Sequence, residues 1–141
     1  MPRTGSCLCG AVTYEISADV SQTGAWHCGM CRKWSGGVYL GVEVPDGGLQ
    51  ITGEDHLKTY ASSPWAERVF CGTCGSSMWY RMTATGSHQG TYHLGFGTLD
   101  DTDGMEMMGE IFIDKKPEAY SFTGDAQRMT EAEFMALFGG S

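Results

Sequence analysis

Residues 68–76 read Arg68–Val69–Phe70–Cys71–Gly72–Thr73–Cys74–Gly75–Ser76, a strand-like run that stops at a C-x-x-C pair set among glycines. Two thiols three residues apart are already held close by the chain, so they offer two metal ligands at little entropic cost. Gly72 and Gly75 allow backbone amides to curl toward the sulfurs, as in zinc-knuckle turns. A tetrahedral site needs about four ligands, so two sulfurs leave it half built.

The remaining cysteines form two further pairs, Cys7–Leu8–Cys9 and Cys28–Gly29–Met30–Cys31. A C-x-C pair and a C-x-x-C pair brought together from distant strands make a closed four-sulfur site, although spacing alone does not say which two pairs share it. A structural zinc on four thiolates contributes ~10–16 kcal/mol of apparent binding free energy. The net stability of a domain is about 5–15 kcal/mol, so such a site decides whether the chain folds. The pair left over either has its coordination completed by other groups or solvent, as at a catalytic zinc, or binds no metal. Structural disulfides are the less favoured reading, because reducing compartments disfavour them.

The frame around these pairs is globular. The chain has 141 residues, 41% apolar and 18% charged, which suits one domain over residues 1–141 with a real core. Seventeen acidic residues against nine Lys plus Arg give a net charge of −8. Nucleic acid is therefore a poor partner, because phosphate recognition needs concentrated positive charge. Apolar stretches such as Val38–Tyr39–Leu40 are too short to span a membrane. The first residues, MPRTGSCLCG, lack the apolar segment of a secretory signal, so a cytoplasmic location is expected.

Scattered glycine (21) and scarce proline (4) suit short strands joined by turns. Ala11–Val12–Thr13–Tyr14–Glu15–Ile16 alternates like a half-buried strand. Residues 38–44 follow, closed by the turn signal Pro45–Asp46–Gly47–Gly48. Strands are also expected at 49–52, 56–60, 66–70, 78–82, 92–96 and 110–113. Cys31–Arg32–Lys33–Trp34 suits a short helical turn. Residues 130–138 suit a short C-terminal helix, with Thr130 and Glu133 as a capping box, Phe134, Leu137 and Phe138 on one face, and Gly139 as terminator.

Three collinear segments resemble the glutathione-dependent formaldehyde-activating enzyme family. They are Gly5–Ser6–Cys7–Leu8–Cys9–Gly10, His27–Cys28–Gly29–Met30–Cys31–Arg32–Lys33, and residues 68–76; Ile111–Phe112–Ile113–Asp114–Lys115–Lys116–Pro117 is similar to the family's C-terminal signature. The resemblance runs from about residue 5 to about residue 120. It implies a mainly β fold, a twisted antiparallel β-tent, with structural Zn2+ on Cys7, Cys9, Cys71 and Cys74. It also implies a carbon–sulfur lyase activity joining glutathione and formaldehyde, on a second zinc held by a C-x-C-x-x-C motif. The last two cysteines of that motif map onto Cys28 and Cys31, the expected catalytic pair, and the first maps onto Trp26, which cannot ligate zinc. The family usually carries histidine where Glu110 stands and tryptophan where Ala119 stands, so the chain departs from the family in the half that would line the substrate pocket.

With one thiolate gone, a second zinc at Cys28 and Cys31 needs a replacement ligand. His27 is the nearest nominee, but in an extended segment it points away from its neighbour Cys28. The preferred reading is a hydrogen-bonded histidine beside the site. Arg32 and Lys33 are candidates for binding a substrate carboxylate, with a solvated turn as the plain alternative. Trp34, Trp65 and Trp79 are expected in the core or a pocket wall, and His56, His88 and His93 in structural roles. The nine methionines have no metal-binding spacing, and Asp100–Asp101–Thr102–Asp103 lacks the glutamate a calcium loop requires. Three functions remain in play: a zinc-dependent lyase acting on a small thiol or thiol adduct, a non-catalytic zinc-stapled binding module, and a redox protein using Cys28 and Cys31 as a dithiol. The absence of a βαβ pattern weighs against the last.

Overall fold

Thr13–Ile16 (β2) buries Tyr14 and Ile16 and exposes Thr13 and Glu15, the period-two pattern read from its sequence. It is the middle strand of a three-stranded antiparallel sheet, between Arg3–Ser6 (β1) and Leu49–Thr52 (β5). This is a computed structural model that describes residues 2–137.

The other strands form one larger sheet. Gln22–Trp26 (β3), Tyr39–Val44 (β4), Leu57–Ser63 (β6), Ala66–Cys71 (β7), Ser77–Met82 (β8), Tyr92–Gly95 (β9), Glu106–Ile111 (β10) and Gln127–Met129 (β11) lie in the order β11-β10-β3-β4-β9-β8-β7-β6. The mainly β fold expected from the sequence is therefore present. Most neighbours are antiparallel, but β10 runs parallel to both β3 and β11. Among the described residues, two α-helices complete the fold: Gly29–Ser35 (α1) and Glu131–Leu137 (α2).

The inner faces of the two sheets meet in one core of Val12, Tyr14, Ile16, Val42, Val44, Met78, Trp79 and Leu94, and Cys7 and Cys71 belong to that same cluster. The chain is tightly packed at Gly5, where a Cβ would lie 2.3 Å from the Tyr14 ring. No larger residue fits there, and Tyr14 reaches past it to share a 2.6 Å hydrogen bond with the Thr98 hydroxyl.

One expectation needs adjustment. The strand expected at 110–113 lies further back, at Glu106–Ile111. Phe112 takes a left-handed backbone (φ 57) and begins a 3-10 turn over Ile113–Lys115, which places its ring 5.6 Å from that of Phe134 on α2. Packing against the helix thus overrides the β-propensity of Phe112 and Ile113. The C-terminal helix is as expected at its start: the Thr130 hydroxyl accepts from the Glu133 amide at 3.1 Å, and the Glu133 carboxylate accepts from the Thr130 amide at 2.9 Å. Phe138 and Gly139, expected to complete and end that helix, lie outside the described residues.

Candidate functional site

β1 delivers Cys7 and Cys9 just past its end, and β7 ends on Cys71. The hairpin turn after β7 brings Cys74 round, with Gly75 in the left-handed region (φ +82) and its amide donating to the Cys71 carbonyl at 2.8 Å. The four sulfurs all lie within 4.8 Å of one another. Cys7 and Cys9 are 3.6 Å apart, and Cys9 and Cys71 are 3.9 Å apart. Zn–S bonds of ~2.3 Å at tetrahedral angles require about 3.8 Å between sulfurs, so the residues fit zinc.

Backbone amides also converge on the sulfurs. Val12 N–H donates to Cys7 Sγ at 3.3 Å, and the amides of Thr73 and Cys74 donate to Cys71 Sγ at 3.4 and 3.5 Å. The Ser76 hydroxyl lies 3.2 Å from Cys74 Sγ and accepts from the Leu8 amide, tying one pair to the other. Ser76, through its hydroxyl and its amide, holds the Cys74 thiol down to about 5. At Cys9 the Ala11 amide lowers the pKa, but burial and the sulfurs of Cys7, Cys74 and Cys71 outweigh it and push the thiol up to about 11. Four anionic sulfurs this close repel one another, and a divalent cation among them removes the conflict. Among the described residues this is the single group of three or more His, Cys, Asp or Glu side chains gathered closely enough to hold a metal ion.

The second cysteine pair is built differently. Cys28 precedes α1 and Cys31 lies within it, and the two sulfurs are joined as a disulfide. Cys31 is buried at 2% exposure, while Cys28 is partly exposed. As a disulfide the pair offers no thiolate, and a third ligand is lacking. Trp26 packs instead against Tyr39, Tyr80 and His93. Both ring nitrogens of His27 are engaged, Nδ1 with the Tyr120 hydroxyl at 2.9 Å and Nε2 with Glu110 Oε1 at 2.8 Å. Cys28 and Cys31 therefore do not fit a second zinc in this state, and His27 takes the hydrogen-bonded position preferred for it.

The parallel strands explain that network. His27 follows β3, and Glu110 on β10 lies level with Ala25 on one side and Arg128 of β11 on the other. Glu110 is 1% exposed and its second oxygen accepts from Arg128 Nε at 2.8 Å. A buried carboxylate persists here because both its oxygens are paired.

Arg32 and Lys33, the expected substrate cations, both ride on α1. Lys33 is exposed; Arg32 is partly buried and donates from Nε to the His27 carbonyl at 2.9 Å. Trp79 is in the core, Trp34 lines the Cys31 side, and Trp65 is 37% exposed.

The residue missed by sequence reading is Arg68. It is 4% exposed on β7, with its guanidinium between the rings of Trp34 (5.3 Å) and Tyr80 (5.0 Å). Its Nη2 lies 3.7 Å from Cys31 Sγ. The signal was present in part: Arg68 shares strand parity with the buried Ala66, on the face of β7 opposite to the core residues Val69 and Cys71.

The model of the family described as "Glutathione-dependent formaldehyde-activating enzyme" matches residues 2–115. An uncharacterized lyase of Schizosaccharomyces pombe is 24% identical over 131 residues, covering 93% of each chain. A Halomonas elongata protein named "Putative glutathione-dependent formaldehyde-activating enzyme" is 32% identical over 84 residues, or 53% of each chain. A crystal structure of a Rhodobacter sphaeroides protein, 24% identical, superposes with a TM-score of 0.53 over 69% of this chain and 87% of its own, which is a likeness of fold.

Proposed function

Because the chain belongs to the glutathione-dependent formaldehyde-activating enzyme family, we propose that it acts on a small thiol such as glutathione, or its aldehyde adduct, as a carbon–sulfur lyase. In this reading Cys7, Cys9, Cys71 and Cys74 hold structural zinc. All four positions are protein sulfurs, so that ion supplies cross-linking and charge neutralisation and no open position for substrate. The chemistry falls to the Cys28–Cys31 side. The observation that carries this is the placement of a sulfur pair beside a buried cation and a wall of Trp26, Trp34, Tyr39 and Tyr80. Arg32 and Lys33, next in sequence after Cys31, supply positive charge on the same short helix for a substrate carboxylate.

Thiol addition to an aldehyde is reversible, so the direct assay is exchange. Magnetisation transfer between free formaldehyde and its glutathione hemithioacetal is measured with and without reduced protein. The reading expects accelerated exchange that is lost in Cys28→Ser and Cys31→Ser and weakened in Arg32→Ala. An unaccelerated rate overturns it.

The missing third ligand favours a second reading, a zinc-stapled module that binds the thiol or adduct without turning it over. Calorimetric binding of glutathione with no rate acceleration is its signature.

A further inference from the structure

We propose that Cys28–Cys31 is a thiol–disulfide exchange centre in which the buried Arg68 guanidinium receives Cys31 as a thiolate. This rests on the reading above in one respect, the small thiol as reaction partner; it needs neither aldehyde nor carbon–sulfur chemistry.

Arg68 is a buried cation whose surroundings do not balance it. Its Nη1 is buried without a hydrogen-bond partner. None of the ion pairs among the described residues includes it, and its neighbours are the faces of Trp34 and Tyr80 and the Cys31 sulfur at 3.7 Å. Ring faces compensate a cation only partly, and a disulfide sulfur is neutral. Burial accordingly lowers the pKa of Arg68. An anion on Cys31 Sγ satisfies the charge in place. Reduction of the disulfide supplies that anion without moving a residue, so Arg68 favours the reduced form over the oxidised one.

The same geometry chooses which sulfur is attacked. Cys28 is partly exposed and Cys31 is buried against Arg68. An external thiolate RS⁻ attacks Cys28 Sγ, the Cys28–Cys31 bond breaks, and its electron pair stays on Cys31 Sγ beside the guanidinium. The product is the mixed disulfide R–S–S–Cys28. A second RS⁻ attacks the R sulfur, forming RSSR and releasing Cys28 as thiolate, which takes a proton from solvent. Two external thiols are oxidised to one disulfide and the protein disulfide is reduced by two electrons; the reverse sequence oxidises the protein at the expense of RSSR.

The test equilibrates the full-length, zinc-loaded protein in glutathione buffers of graded redox ratio. Thiols are then trapped by alkylation and located by peptide mass spectrometry, with zinc content followed in parallel. Wild type is expected to interconvert between alkylated and protected Cys28 and Cys31 while Cys7, Cys9, Cys71 and Cys74 keep their zinc. Arg68→Met is expected to need a buffer about tenfold more reducing to reach half reduction, about 30 mV for a two-electron couple. Arg68→Lys, which keeps the charge but loses the planar stacking, is expected to shift less in the same direction. An unchanged half-point in either folded variant overturns the role of Arg68.

Trapping is independent of how the Arg68 variants fold. Cys31→Ser with oxidised glutathione is expected to form the mixed disulfide on Cys28, and Cys28→Ser to form it on Cys31 at least tenfold more slowly. Equal rates, or thiols at Cys28 and Cys31 that stay alkylatable in fully oxidising buffer, overturn the proposal. Since no aldehyde is present, failure here leaves aldehyde-adduct exchange standing, and failure of that assay leaves this one standing.

Discussion

The two cysteine clusters flank the same strand and differ in what they join. Cys9 and Cys71, 62 residues apart, bring the end of β1 to the end of β7, so their site closes the two sheets onto each other. Cys28 and Cys31 are three residues apart at the start of α1, and joining them constrains little that the helix has not already fixed. Arg68 and Cys71 both lie on β7, so one strand serves both places, its end carrying a sulfur of the first cluster and its middle facing the Cys28–Cys31 pair. Distance along the chain is what a cross-link converts into stability, and local proximity is what leaves sulfur free for chemistry.

The largest test of that contrast is removal of the four-sulfur site. Cys74→Ser, or a strong chelator, is expected to unfold the protein globally, because ~10–16 kcal/mol of zinc binding is as large as the whole stability of an ordinary domain. Loss of near- and far-ultraviolet dichroism together, with elemental analysis showing one zinc per wild-type chain, is the expected record. A folded Cys74→Ser protein without metal breaks the comparison at its stronger end.

The next effect lies beneath the reactive pair. Glu110→Ala leaves His27 Nε2 and Arg128 without their shared acceptor. Breaking a buried pair costs 3–5 kcal/mol, and Arg128 is 38% exposed, so water recovers part of that. About 3 kcal/mol in urea unfolding is expected. Glu110→Gln, which still offers His27 an acceptor, is expected to lose less.

How much of this was readable beforehand depends on whether the signal was local. Tyr14 and Ile16 declared their strand by alternation, and Thr130 with Glu133 declared a helix start, because both patterns act within a few residues. The cysteine motifs gave the candidate ligands, while the family resemblance, and not the spacing, chose Cys7, Cys9, Cys71 and Cys74 among them. By contrast β1 (RTGS) and β3 (QTGAW) carry glycine and polar residues that give no strand signal, and β11 is three residues long. They are strands because neighbours pair with them, which is tertiary information. Phe112 read as strand for the converse reason, its left-handed turn being set by Phe134. Arg68 was visible only as a charged residue at the parity of Ala66; its partner, Cys31, is 37 residues away.

A smaller effect separates the wall of the reactive pair from the metal site by pH. The His93 ring is enclosed against Trp26 and Tyr80, and that burial pushes its pKa from 6.5 down to about 4. The unfolded chain therefore binds a proton between pH 6.5 and 4 that the folded chain refuses, so this group favours folding less as pH falls through that window and has no effect above it. At pH 5 the loss is about 2 kcal/mol, from 1.36 kcal/mol per pH unit. Zinc thiolates also protonate in acid, so the measurement is a difference: His93→Phe is expected to lose about 2 kcal/mol less than wild type between pH 7 and pH 5. Parallel curves for the two proteins remove His93 from the account.

The smallest expected effect is at Cys31, and it sharpens the comparison most. Closing a loop of four residues removes little entropy from the unfolded chain, about 2 kcal/mol in the loop-closure account. Cys31→Ser is therefore expected to lower stability by about that much when the wild type is oxidised. With both proteins in excess reductant, the wild-type cross-link is gone and the difference is expected to fall to about 1.4 kcal/mol, the tenfold preference of buried Cys31 for an anion beside Arg68. One refinement is specific to this fold: in reductant the wild type places an anionic sulfur beside Arg68, whereas serine offers a neutral hydroxyl. A residual deficit in the Cys31→Ser protein that disappears when Arg68→Met is added would assign the remainder to that charge pair, because coupling between two substitutions reports their direct interaction.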